Sequence, residues 1–235
     1  MRQEGHLGLS LLFSAPFTLG IALLGYVEAS FLFTAVVVWF ASFPDVDIKL
    51  QKWTGKNGIT GLKDLITIKH RGITHTVGFA IGCGTVLSSF GFLILHFILV
   101  LSLFDTLLYT IILFFGAFLG VLYHVAGDIV TVTGVNFMPS RRDKNYALDW
   151  FNFNNYYGNF GAVILGFTAI LLAILTGVSG VIDIWAILLF ISIYVVFVPL
   201  WIELSKRSNK KENGTTSEFA KYTNIRYLIR QLLKL

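Results

Sequence analysis

Long apolar runs alternate with short polar segments along the chain. A hydrocarbon core of about 30 Å needs roughly 20 helical residues to cross it. Six runs stand out as membrane spans, at 7–24, 30–43, 74–103, 106–130, 158–176 and 184–202, the second of them short. The stretch 74–130 is almost continuously apolar, and an undivided helix of that length would overshoot a bilayer, so the pattern is divided at Phe104-Asp105. The expected fold is all-α: a polytopic membrane bundle of about six helices with both termini cytoplasmic.

Composition agrees. The chain is 55% hydrophobic and 13% charged, with mean hydropathy +0.74, whereas soluble domains carry about a quarter charged residues. Residues 1–29 could be read as a secretory leader, but the apolar stretch is too long for one, further spans follow, and cleavage would discard His6. With six spans, all 18 Lys and Arg fall in segments on one side, which the positive-inside rule makes the cytoplasmic side of the inner membrane. The net charge of +5 then favours anionic lipid headgroups over nucleic acid.

On this arrangement His6, Asp45, Asp47, His70, His75, His124 and Asp128 all lie at span ends on that same side. His124 and Asp128 are four residues apart and stack on one helix face. In Pro44-Asp45-Val46-Asp47, two acids at period 2 on an extended segment point the same way and call for a cation. In His70-Arg71-Gly72-Ile73-Thr74-His75, the glycine permits a sharp turn that could aim both imidazoles inward, and Thr74 can cap the following helix. Imidazole with carboxylate suits zinc first, with manganese or iron(II) as alternatives, and seven ligands suit two divalent ions better than one. Each histidine alone could be an ordinary interfacial residue; the repetition at four helix ends points to metal. His96, placed midway along the third span, is excluded.

These motifs, with Gly120-Val121-Leu122-Tyr123-His124-Val125-Ala126-Gly127-Asp128 followed by Thr131 and Gly134, resemble the YdjM-type membrane-bound metal-dependent hydrolases, also described as LexA-regulated, over roughly residues 1–135. Thr76 stands where such proteins often have Ser, a hydroxyl-for-hydroxyl exchange. The resemblance implies an inner-membrane hydrolase with His/Asp metal ligands and leaves the substrate open.

A metal-activated water needs no Ser or Cys nucleophile. Asp45, Asp47, His75 and Arg71 are the expected catalytic residues. Lys69, Arg71, Arg141 and Arg142 could neutralise a phosphate, although basic residues at this face also serve as topology signals. The leading expectation is hydrolysis of a phosphoester on a lipid or lipid-linked molecule at the cytoplasmic interface. Two other classes stay open: a metal-ion or proton transporter using the same cluster, and a membrane scaffold retaining a structural metal. Ligands gathered at one face, with no internal repeat, weigh against transport.

The remainder reads as support. Cys83 lies between glycines within a span and is a packing residue; as the single cysteine it allows no intrachain disulfide. Gly78, Gly82, Gly116 and Gly120 have the small-residue spacing of close helix packing. The aromatic and Asn-rich stretch 146–160 suits the headgroup region and could roof the site. Two domains follow: a membrane hydrolase domain over 1–204, and a basic tail over 205–235, flexible to about 217 and then an amphipathic interfacial helix.

Overall fold

The computed structural model describes residues 1–45, 73–131, 134, 135, 146–148, 150, 152, 154–179 and 184–213. Among these there are six principal helices and no β-strand beyond an isolated Val135–Tyr146 bridge. They are α1 (Gln3–Leu23), α2 (Val27–Ala41), α3 (Val77–Leu93, prolonged by a π turn at Ile94–Ile98), α4 (Leu103–Ile129), α5 (Tyr156–Ser179) and α6, formed by Ile184–Ser192, a π turn at Ile193–Phe197 and Val198–Asn213. All but α2 are long and apolar enough to cross a membrane, and α2 is a shorter apolar helix of 15 residues.

Lipid is the natural solvent for the outside of this bundle. Phe17, Trp39, Phe90, Phe97, Phe167 and Trp185 are exposed, whereas the interior joins Leu9, Leu12 and Ala15 of α1 to Ala162, Ala169 and Ile170 of α5 and Ile193 and Trp201 of α6. A second apolar cluster pairs Ala29, Phe33 and Val37 of α2 with Ile112 of α4. α1 is central, packing on α5, α2 and α4. Pro16 cannot donate to the Leu12 carbonyl, which would be left bare in an apolar setting. The Tyr194 hydroxyl of α6 donates to that carbonyl at 2.6 Å.

Several expectations change here. The break between the third and fourth spans falls at 99–102, where Val100 takes a left-handed φ of 52°, not at Phe104-Asp105. Ser102 caps α4 by accepting the Asp105 N–H at 3.1 Å and donates to the Asp105 carboxylate at 2.6 Å, so Asp105 belongs to the first turn of the helix. Thr76, not Thr74, caps α3: its hydroxyl accepts the Phe79 N–H at 3.1 Å. His96 lies in the terminal π turn of α3, not midway along it, with its ring against Phe92 and Phe97. Gly116 and Gly120 meet Val36, Val37 and Phe40 of α2 as close packing requires, but Gly82 faces open space and Gly78 meets only the nearby Thr76 hydroxyl. Residues 205–213, expected to be flexible, continue α6; the amphipathic segment 218–235 lies outside the described residues.

Candidate metal centre

Four helix ends converge at one end of the bundle: the start of α1, the end of α2, the start of α3 and the last turns of α4. α1 delivers His6 from its first turn and α4 delivers His124 and Asp128 one turn apart. A 3₁₀ turn at Ile73–His75 brings in His75, and Asp45 follows α2. His6 and Asp128 are 2% exposed and His75 and His124 fully buried. The Asp45 side chain is 28% exposed, which makes it the open edge of the cluster.

Asp128 is the hub. Its Oδ1 lies 3.5 Å from His6 Nε2, and its Oδ2 lies 3.4 Å from His75 Nε2 and 3.8 Å from His124 Nε2. The Met1 amino group stands 3.4 Å from the same carboxylate. His124 Nε2 is also 3.5 Å from Asp45 Oδ1. The rings are compactly arranged, His6 stacked on His124 at 3.9 Å and His75 edge-on to His124 at 5.1 Å.

These atoms form two groups able to hold an ion, His6–His124–Asp128 and Asp45–His75–His124, in each of which the candidate ligand atoms lie within 4.8 Å of one another. His124 belongs to both. Its Nδ1 sits 2.7 Å from the Ala41 carbonyl, so the proton resides on Nδ1 and the Nε2 lone pair is turned to the carboxylates. That Nε2 is buried and makes no hydrogen bond. Buried polar atoms normally have partners, so a ring nitrogen left bare beside two carboxylates fits a divalent ion.

The sequence-predicted ligands thus divide cleanly. His6, Asp45, His75, His124 and Asp128 are brought together. Asp47 and His70, together with Lys69, Arg71, Arg141 and Arg142, lie outside the described residues. The Ala41 carbonyl was not foreseen, because a backbone acceptor leaves no mark in residue identity.

The end of α4 is held as well. Beyond it the chain turns at Gly134 (φ 56°), a left-handed conformation suited to glycine, and comes back so that Leu148 and Trp150 N–H groups donate to the Ile129 and Val130 carbonyls at 2.6 and 3.0 Å. Gly127 lies against His6: a methyl group there would come within 2.5 Å of Nδ1. Gly127→Ala improves helix propensity by about 1 kcal/mol yet displaces the imidazole. The expected result is a folded protein whose affinity for a divalent ion, probed with zinc by chelator competition, falls about 10–100-fold, as it does where a ligand's support is disturbed.

A family model described as YdjM inner membrane protein matches residues 1–204. No curated protein and no solved structure matches the chain.

Proposed function

We propose that this chain, which belongs to the YdjM inner membrane protein family, is a metal-dependent hydrolase of phosphoesters carried on a lipid or lipid-linked molecule. The observation that carries the reading is the buried convergence of three histidines and Asp128 behind a part-exposed Asp45. A divalent ion, zinc first among the candidates, would supply Lewis acidity and a nucleophile at neutral pH. His6, His124 and Asp128 would hold one ion, and Asp45, His75 and His124 a second.

The chain's own groups set the geometry. Ala41 fixes the tautomer and plane of His124, and Thr74 Oγ1, 3.0 Å from His75 Nδ1, holds the plane of the second imidazole. The closed side of the cluster, walled by α1 and α4, keeps bulk water out, so substrate would approach from the Asp45 edge. Sequence places Lys69, Arg71, Arg141 and Arg142 on the same face, where they would meet a phosphate. The concentration of all Lys and Arg on that face supports a cytoplasmic site, reached laterally by headgroups.

Transport receives less support. Beyond the cluster toward the bilayer centre, Leu9, Leu12 and Val121 are buried core residues, and the buried hydroxyls of Ser10, Ser14 and Thr18 are turned back onto carbonyls of α1 itself. The test is phosphate release from phosphorylated lipids by detergent-purified protein loaded with zinc, manganese or iron, beside Asp45→Ala. Since loss of a mere supporting group costs 10–100-fold, the variant should lose at least about 100-fold in turnover. Release that survives both chelator and the variant, or ion flux in vesicles without release, would sink the proposal.

A further inference from the structure

His6 occupies the first turn of α1, where unpaired N–H groups make helices fray. A ligand in that turn needs support from outside its own helix. Arg2, just before α1, is in extended conformation and makes no side-chain cap. Its carbonyl accepts the His6 N–H at 3.1 Å, and its own N–H donates to Asn159 Oδ1 at 2.9 Å.

The support continues through the start of α5. Asn159 Nδ2 donates to the Asn155 carbonyl at 2.7 Å, and Asn155 Oδ1 accepts the Gly158 N–H at 2.8 Å. Asn155 Nδ2 in turn donates to the Ser205 carbonyl of α6 at 3.2 Å. Asn155 is fully buried and Asn159 is 6% exposed. The opposing surface is shaped to match: a Cβ on Gly5 would collide with Asn159 Oδ1. Capping of α5 explains Asn155 Oδ1. It does not explain an Asn159 amide oxygen aimed at a backbone N–H 157 residues away in sequence.

We infer that Asn159, itself held by Asn155 and the end of α6, is a positioning residue that sets the start of α1 and thereby the place of His6 in the cluster. The inference rests on reading the cluster as a metal centre. Asn159 acts on His6 through Arg2, whose N–H it accepts and whose carbonyl accepts the His6 N–H.

The experiment uses the full chain in detergent as wild type, Asn159→Ala, Gly5→Ala and Asn159→Asp, with two readouts: amide hydrogen exchange of residues 3–6 in metal-free protein, and zinc affinity by chelator competition. Asn159→Ala and Gly5→Ala should exchange at least tenfold faster over 3–6, with the α4 segment 120–129 unchanged, and bind zinc about 10–100-fold more weakly. Asn159→Asp keeps the acceptor for Arg2 N–H but loses the Nδ2 donor to the Asn155 carbonyl, and should fall between wild type and Asn159→Ala in both. Unchanged exchange in both disrupted variants overturns the positioning role, and so does faster exchange with unchanged zinc affinity. If the wild type binds no zinc while the variants still exchange faster, the metal reading falls and the tie between Asn159 and α1 stands.

Discussion

On the proposed two-ion centre, alanine at His124 is expected to remove both ions at once. The imidazole belongs to each candidate group, with Nε2 3.5 Å from Asp45 Oδ1 and 3.8 Å from Asp128 Oδ2. Loss of His6 removes one ligand of one group and leaves the Asp45–His75–His124 group whole. Elemental analysis of detergent-purified protein should therefore give less than about a tenth of the wild-type metal for His124→Ala, and roughly half for His6→Ala, on a two-ion centre. Stability moves less than binding: the variant strands the Ala41 carbonyl, a cost of about 1–3 kcal/mol, and removes the ring on which His6 stacks. Size-exclusion profiles and helix content should stay close to wild type. A His124→Ala protein that retains full metal would end the shared-ligand assignment, and equal losses in the two variants would favour a single ion.

The convergence behind that prediction was legible in the sequence because hydropathy places span ends, and span ends are where His6, Asp45, His75, His124 and Asp128 stand. Membership of one face follows from the period of the spans. Pairing inside that face does not, since the His124–Ala41 contact and the Arg2–Asn159 contact join atoms 83 and 157 residues apart. The aromatic and Asn-rich stretch illustrates the limit. Its rings signalled an interface, and Tyr156, Tyr157 and Phe160 are indeed exposed, yet Asn155 and Asn159 are buried structural groups. The misplaced break before α4 has a local cause: Ser102-Leu103-Phe104-Asp105 is a capping pattern, but hydropathy weighs the charge of Asp105 and ignores its spacing from Ser102. The extension of α6 through 205–213 shows the converse, polar composition compatible with helix when a preceding apolar helix has already nucleated it.

On the proposed two-ion centre, chelation is expected to lower the thermal midpoint of the wild-type protein by about 5–10 °C per bound ion, and that of Asp128→Asn, which keeps the Asp45–His75–His124 group, by one ion's share only. An ion that binds only the folded chain stabilises it by about 2.7 kcal/mol when present at a hundred times its dissociation constant. For a chain of this size each kcal/mol moves the midpoint by about 2–4 °C. Asp128 is the residue to change because its carboxylate faces all three imidazoles while lying 2% exposed, so that asparagine keeps the shape and removes the charge that a cation requires. Asp45, at the open edge, can yield its place to water more readily. The midpoint of the wild type should also climb with free divalent metal, zinc being the probe, by about 1.4 kcal/mol or 3–5 °C per bound ion for each tenfold increase once the centre is saturated, so the variant's slope should be about half the wild type's. A wild-type midpoint indifferent to zinc over such a titration would mean that the three imidazoles and Asp128 are balanced by one another alone. Equal slopes in wild type and variant would mean that Asp128 holds no stabilising ion.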